Sequence, residues 1–166
     1  IDYLERLVIP HETHIIYNSR RYACGQTNSI FELCRRINFD IGFNIDDDIK
    51  FIESGWDNLY IEAMKESEFD HLCYLNLEHF IELRKRENPK YIQPDSVFDG
   101  SRRCVAFANV KDCMGALFTF TPKMLDAVGC CDEENFPIRG QWHIDYSMRC
   151  CRAGFNKIET FFDGSE

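Results

Sequence analysis

Ile41-Gly42-Phe43-Asn44-Ile45-Asp46-Asp47-Asp48 is an apolar run that closes on three consecutive carboxylates. Its composition suits a short buried strand, and three adjacent acids repel one another at the end of such a strand. A divalent cation relieves that repulsion, and Mg²⁺ or Mn²⁺ prefers carboxylate oxygens. If the strand persists, Asp46 and Asp48 point to one face and Asp47 to the other, because strand side chains alternate. The stretch therefore offers Asp46 and Asp48 as candidate metal ligands. The competing reading is a solvated turn after a strand, since Asp favours turns. A calcium EF-hand loop is excluded, because its sixth position needs Gly and Phe51 stands there.

Reading upstream, residues 14–17 form a short apolar segment of strand type. Residues 25–39 carry helical periodicity through Ile30, Phe31, Leu33, Cys34 and Ile37, with Thr27 or Asn28 as the cap. Residues 1–8 read as the tail of an amphipathic helix, ended by Pro10. Strand, helix, strand in this order suggests parallel strands joined by a right-handed crossover. Downstream, a helix is expected over 56–65 and a strand over 71–75. Residues 77–86 read as helix or irregular chain, and residues 89–100 as loop. Strands are expected over 105–110, 116–120 and 158–162. A short helix over 122–128 has Thr121 as N-cap, Pro122 in its first turn and Gly129 at its end. A polar loop covers 132–140, and a helix over 142–153 is closed by Gly154. The alternation predicts one α/β domain with a mixed, mainly parallel sheet flanked by helices. Ligands in such sheets bind beyond the carboxyl ends of strands, where this acidic triplet lies.

The 166 residues are 45% hydrophobic and include 14 Phe, enough for one ring-rich core. The formal charge is −9, with no basic run, which argues against nucleic acid or an anionic membrane as partner. An anionic ligand bridged by a metal suits such a chain better. The nine cysteines include the doublets Cys130-Cys131 and Cys150-Cys151 and no Cys-x-x-Cys. They read as mostly buried free thiols, which favours the cytoplasm; a Golgi lumen stays open if an anchor lies outside this chain. No run of 18 apolar residues and no signal peptide is visible. The chain lacks an initiator Met, as a piece of a longer protein would.

Several common site patterns are absent. His11-Glu12-Thr13-His14 has its two His three apart beside Pro10, where a zinc-protease helix needs four. There is no Gly-x-Ser-x-Gly, phosphate-binding loop or dinucleotide fingerprint. The second informative segment is Gly140-Gln141-Trp142-His143-Ile144-Asp145-Tyr146-Ser147-Met148-Arg149. His143 and Asp145 flank the start of a helix, where Asp145 serves either the helix dipole or catalysis. Arg149 lies four residues on and can pair with it. Trp142 reads as core, or as a ring on which a sugar stacks.

Together these segments resemble the GT-A glycosyltransferases of the broad family-2 type. The matching motifs are the DxD-type strand end at Ile45-Asp46-Asp47-Asp48, the helix start at Gln26-Thr27-Asn28, and the strand Met114-Gly115-Ala116-Leu117-Phe118. They continue with the helix and turn from Leu125 to Glu133, then with the family's EDxDLxxRxxxAG helix, here Trp142 to Gly154. The resemblance covers about residues 14–160. It implies a Rossmann-like GT-A fold and transfer of a sugar from a UDP- or GDP-sugar to a hydroxyl of a glycan or protein. It further implies Asp48 and Asp46 as ligands of Mn²⁺ or Mg²⁺, and Asp46, Asp47, Asn28, Gly115 and Ala116 as the donor-binding set. Asp145 or His143 would act on the acceptor and Trp142 would contact it. Two departures stand out. His143 falls where the family has a carboxylate, with Trp142 at its neighbour. The family's first, nucleobase-gripping strand is missing, so residues 1–166 are expected to be one GT-A-like domain without it. A sugar nucleotidyltransferase and a non-catalytic glycan- or partner-binding module of the same fold are the alternatives.

Overall fold

The computed structural model describes residues 22–47, 49–52, 54–75, 82, 85–90, 97–98, 104–106, 115–136, 141–156 and 160–163. The segments expected at 1–17, and Asp48 itself, lie outside the described residues, as do parts of those expected at 77–86, 89–100, 105–110, 132–140 and 158–162.

Helix α1 runs Ala23–Cys34 and is preceded by Tyr22 as N-cap, without a side-chain bond. It starts earlier than its apolar periodicity suggested, so Thr27 and Asn28 lie inside the helix and neither caps it. Both are buried because their polar groups find tertiary partners: the Thr27 hydroxyl donates to Asn44 Oδ1 at 3.1 Å.

Strand β1 spans Gly42–Ile45 and stops there. The chain then turns, with the Ile49 N–H donating to the Asp46 carbonyl at 3.3 Å. The strand ends before the triplet begins, so the condition for alternation across the acids, a strand that persists through them, is not met. Helix α2 (Trp56–Ser67) follows, then the strands β2 (Cys73–Leu75), β3 (Val97–Phe98), β4 (Cys104–Ala106) and β5 (Leu117–Phe120). Helix α3 is Pro122–Val128, α4 is Trp142–Arg152, and β6 is Thr160–Asp163. β3 falls in the segment read as loop. Its backbone pairs with β4, Val97 opposite Ala106, a partner that no local pattern announces. In α3, the Thr121 hydroxyl accepts from the Met124 N–H at 3.3 Å, and Gly129 leaves the helix with φ 83°, as the cap residues predicted. At the end of α4 Ala153 is the C-cap, and Gly154, one residue later, takes the left-handed angle of 86°.

The described strands form one sheet in the order β1-β5-β2-β6-β4-β3. β2 and β6 run parallel; the other four neighbouring pairs are antiparallel. Alternation of strands and helices along the chain does not choose neighbours. β5 enters between β1 and β2, and its direction opposes both.

β1 and β5 show how the layers form. Phe118 and Phe120 join Phe31 of α1, Met124 and Leu125 of α3 and Trp142, Tyr146 and Cys150 of α4 in one buried cluster. Leu117 joins Trp56, Tyr60, Ala63 and Met64 of α2 in the other, against which Phe43 and Ile45 pack. Successive strand side chains thus feed opposite faces of the sheet. Gly42 pairs with Phe120, and a Cβ there would lie 2.1 Å from the Phe120 ring. That ring meets Phe31 edge-on at 5.0 Å between centroids.

Candidate active site

The site is built outward from the end of β1. The Asp46 N–H donates to the Ala116 carbonyl at 2.8 Å, one step beyond the last paired residues, Ile45 and Leu117. The β1–β5 ladder thereby anchors the root of the acidic segment beside the Gly115-Ala116 turn that opens β5. Asp46 and Asp47 are exposed, while Gly115 and Ala116 are half-buried.

His143, in the first turn of α4, stands against Gly115. A Cβ built on Gly115 would lie 2.7 Å from His143 Cγ and 2.9 Å from both its Cβ and Nδ1. The structure therefore brings Asp46, Ala116, Gly115 and His143 into one contiguous row. The four stem from three elements that are far apart in the chain. Gly at the opening of a strand was the available signal, since it marks a close approach by another group.

Asp145 and Arg149 form a separate pair. Arg149 Nε donates to Asp145 Oδ2 at 2.9 Å, and Nη1 donates to the Val128 carbonyl at 3.0 Å. The guanidinium also lies over the Tyr146 ring, 5.2 Å from its centroid. This arrangement ties the start of α4 to the end of α3.

Trp142, considered as a sugar platform, is 8% exposed and belongs to the core. Its ring centroid lies 6.2 Å from that of Phe118 and 5.8 Å from that of His143. Little of its face is open to a ligand.

Asn28 is likewise committed. Its amide donates to the Cys131 carbonyl at 2.9 Å and to Glu133 Oε1 at 2.7 Å, and accepts from the Cys131 N–H at 2.7 Å. The adjoining Asp132 carboxylate accepts from Asn135 N and Nδ2 at 3.0 and 2.6 Å. Those bonds hold its pKa below the ordinary value.

Behind this turn lie thiols. Cys24, Cys34, Cys73, Cys130, Cys131, Cys150 and Cys151 are free thiols, and four of these seven are buried. Burial pushes Cys24 up to about 11, with the Glu133 carboxylate adding to the rise, and pushes Cys131 further up. These are protonated packing groups. Sequence reasoning missed His71, fully buried between β5 and α4. Its ring nitrogens lie 2.9 Å from the Thr119 carbonyl and 2.8 Å from Ser147 Oγ. Its neighbours arrive from distant segments, so no spacing pattern announces it.

Among the described residues no three His, Cys, Asp or Glu side chains are grouped to hold a metal. The exposed Asp46 and Asp47 are hard oxygen donors of the kind Mg²⁺ and Mn²⁺ take. Such ions are commonly held by one or two carboxylates together with substrate phosphates, so the donor chemistry fits. No described helix is long and apolar enough to cross a membrane.

Over 146 residues the chain is 26% identical to a protein of Acanthamoeba polyphaga mimivirus named as an uncharacterized glycosyltransferase. The match covers 83% of this chain and 49% of the viral protein, so the chain spans about half the length of the curated relative it matches. No family model matches the chain. No solved structure matches it either.

Proposed function

We propose that this chain is a metal-dependent glycosyltransferase domain of GT-A-like fold. It moves a sugar from a UDP- or GDP-sugar to a hydroxyl of a glycan or protein. The name of the viral relative supports the reaction class. The observation that supports the site is the main-chain bond from Asp46 to Ala116 next to Gly115, against which His143 stands.

Asp46 and Asp47, with Asp48 after them in sequence, would hold Mn²⁺ or Mg²⁺ on the donor diphosphate. When bound, the ion neutralises charge that develops on the departing nucleoside diphosphate. Gly115 and Ala116 give the donor sugar a floor without long side chains. His143 accepts the proton of the acceptor hydroxyl as its oxygen bonds to the anomeric carbon and the bond to the diphosphate breaks. A neutral imidazole suits this role near neutral pH. Asp145 is a positioning residue in this reading, since its carboxylate is bound to Arg149.

The test is calorimetry with UDP and GDP, with and without Mn²⁺, followed by transfer assays with the matching sugar donors. Metal-dependent nucleotide binding with turnover supports the proposal. Glycan binding without either would replace it with a binding module.

A further inference from the structure

We propose that Gly115 is a positioning residue: its missing side chain is the seat of His143 and holds the imidazole beside the acidic end of β1. This rests on the reading of His143 as the acceptor-side base. Gly115 is not needed for a left-handed backbone, unlike Gly129 and Gly154, whose φ values are 83° and 86°. Space is what the position supplies. The atoms a Cβ would strike, His143 Cγ at 2.7 Å and Cβ at 2.9 Å, are the root of that side chain and cannot swing aside by a terminal rotation.

Neither wall can yield cheaply. On one side, the Ala116 carbonyl is bonded to the Asp46 N–H, and Leu117 is paired with Ile45. On the other, the first turn of α4 is closed by the Asp145 N–H on the Gln141 carbonyl at 2.9 Å. It is pinned by buried Trp142 and fully buried Tyr146, and by Arg149 on the Val128 carbonyl. A methyl group at residue 115 therefore has one outlet, displacement of His143 relative to β1. Such a shift in a reacting group is costly for rate even where the fold survives.

The experiment compares wild type, Gly115→Ala, His143→Ala and the double variant, with Asp126→Asn on the exposed side of α3 as a control. Nuclear magnetic resonance follows the His143 ring signals, which Gly115→Ala should shift and Asp126→Asn should leave in place. Transfer kinetics should show kcat falling about 10-fold or more in Gly115→Ala. In the His143→Ala background the same change should add less than about twofold to the loss of kcat. Unmoved ring signals, or losses that multiply, would overturn the proposal. If Gly115→Ala fails to fold, Gly115→Ala with His143→Gly should restore folding, and failure to do so also overturns it. A wild-type chain without metal-dependent nucleotide binding or transfer would sink the functional reading alone, since the ring signals still report whether Gly115 seats His143.

Discussion

The side-chain amide of Asn28 closes on both polar groups of one buried residue, donating to the Cys131 carbonyl and accepting from its N–H at 2.9 and 2.7 Å. The two residues lie 103 apart in the chain, so this bracket ties α1 to the turn after α3. Arg35 repeats the connection at the other end of the helix, donating to the Leu125 carbonyl at 3.0 Å and to Cys130 Sγ at 3.2 Å.

Replacing Asn28 with Leu leaves the Cys131 N–H and carbonyl without that partner in a buried place. The expected cost is about 2–4 kcal/mol, read from urea unfolding. Asn28→Asp is no rescue, since its carboxylate would face the Cys131 carbonyl and Glu133 where the native amide donates.

Asp46 is exposed, and its main-chain bond to Ala116 does not depend on its side chain. Asp46→Asn should therefore keep the main-chain bond that anchors the end of β1. Under the proposed function it weakens Mn²⁺-dependent nucleotide binding about 10-fold or more in calorimetry. Chelation of the metal should remove the remainder.

His143 and Asp145 separate cleanly in the proposed mechanism. His143→Ala should lower kcat about 100-fold. Asp145→Asn should lower it far less and cost at most about 1 kcal/mol of stability, because the pair with Arg149 is only partly buried. His143→Asp should restore some turnover and move the acid limb of the pH–rate profile to lower pH, as a carboxylate titrates below an imidazole. Greater loss in Asp145→Asn than in His143→Ala would reverse these roles.

His71 makes stability depend on pH. Its Nδ1–H donates to the Thr119 carbonyl, which fixes Nε2 as the acceptor from the Ser147 hydroxyl. Burial lowers its pKa from 6.5 to about 4. The unfolded chain therefore takes up a proton first as pH falls. The stabilising difference is whole above 6.5, shrinks on acidification and is lost by pH 4. Across that window it amounts to about 3 kcal/mol. Urea midpoints between pH 7 and 4 should show this slope, and His71→Asn should flatten it.

Thiol labelling should follow burial. At pH 8 iodoacetamide should reach half-buried Cys151 before Cys24 or Cys131, whose thiols are buried and have raised pKa values. Denaturant should abolish the difference. Early labelling of Cys131 in the native protein would contradict its packing between α1 and α4.

Where structure is set by neighbours in the chain, the sequence was readable. The Thr121 cap, Pro122 and Gly129 bound α3, and the apolar run before the acids is β1, because each depends on bonds within a few residues. The start of α1 was misread because polar Thr27 and Asn28 look like caps until Asn44 and Cys131 are seen to meet them. The acidic triplet was legible as composition. Its geometry was not, because the strand ends at Ile45.

By itself, the amino-acid sequence determined the local elements, the order of their motifs and the chemical types available to a site: carboxylates, a Gly-Ala turn and an imidazole. The tertiary structure alone decided that β5 runs antiparallel beside β1, and this sets Ala116 on Asp46 and Gly115 under His143. It also gave Asn28 to Cys131 and His71 to Ser147. Propensity and capping act over a turn or two of chain, whereas these pairings arise from packing two apolar clusters against opposite faces of one sheet, and no spacing along the chain encodes which residues that packing brings together.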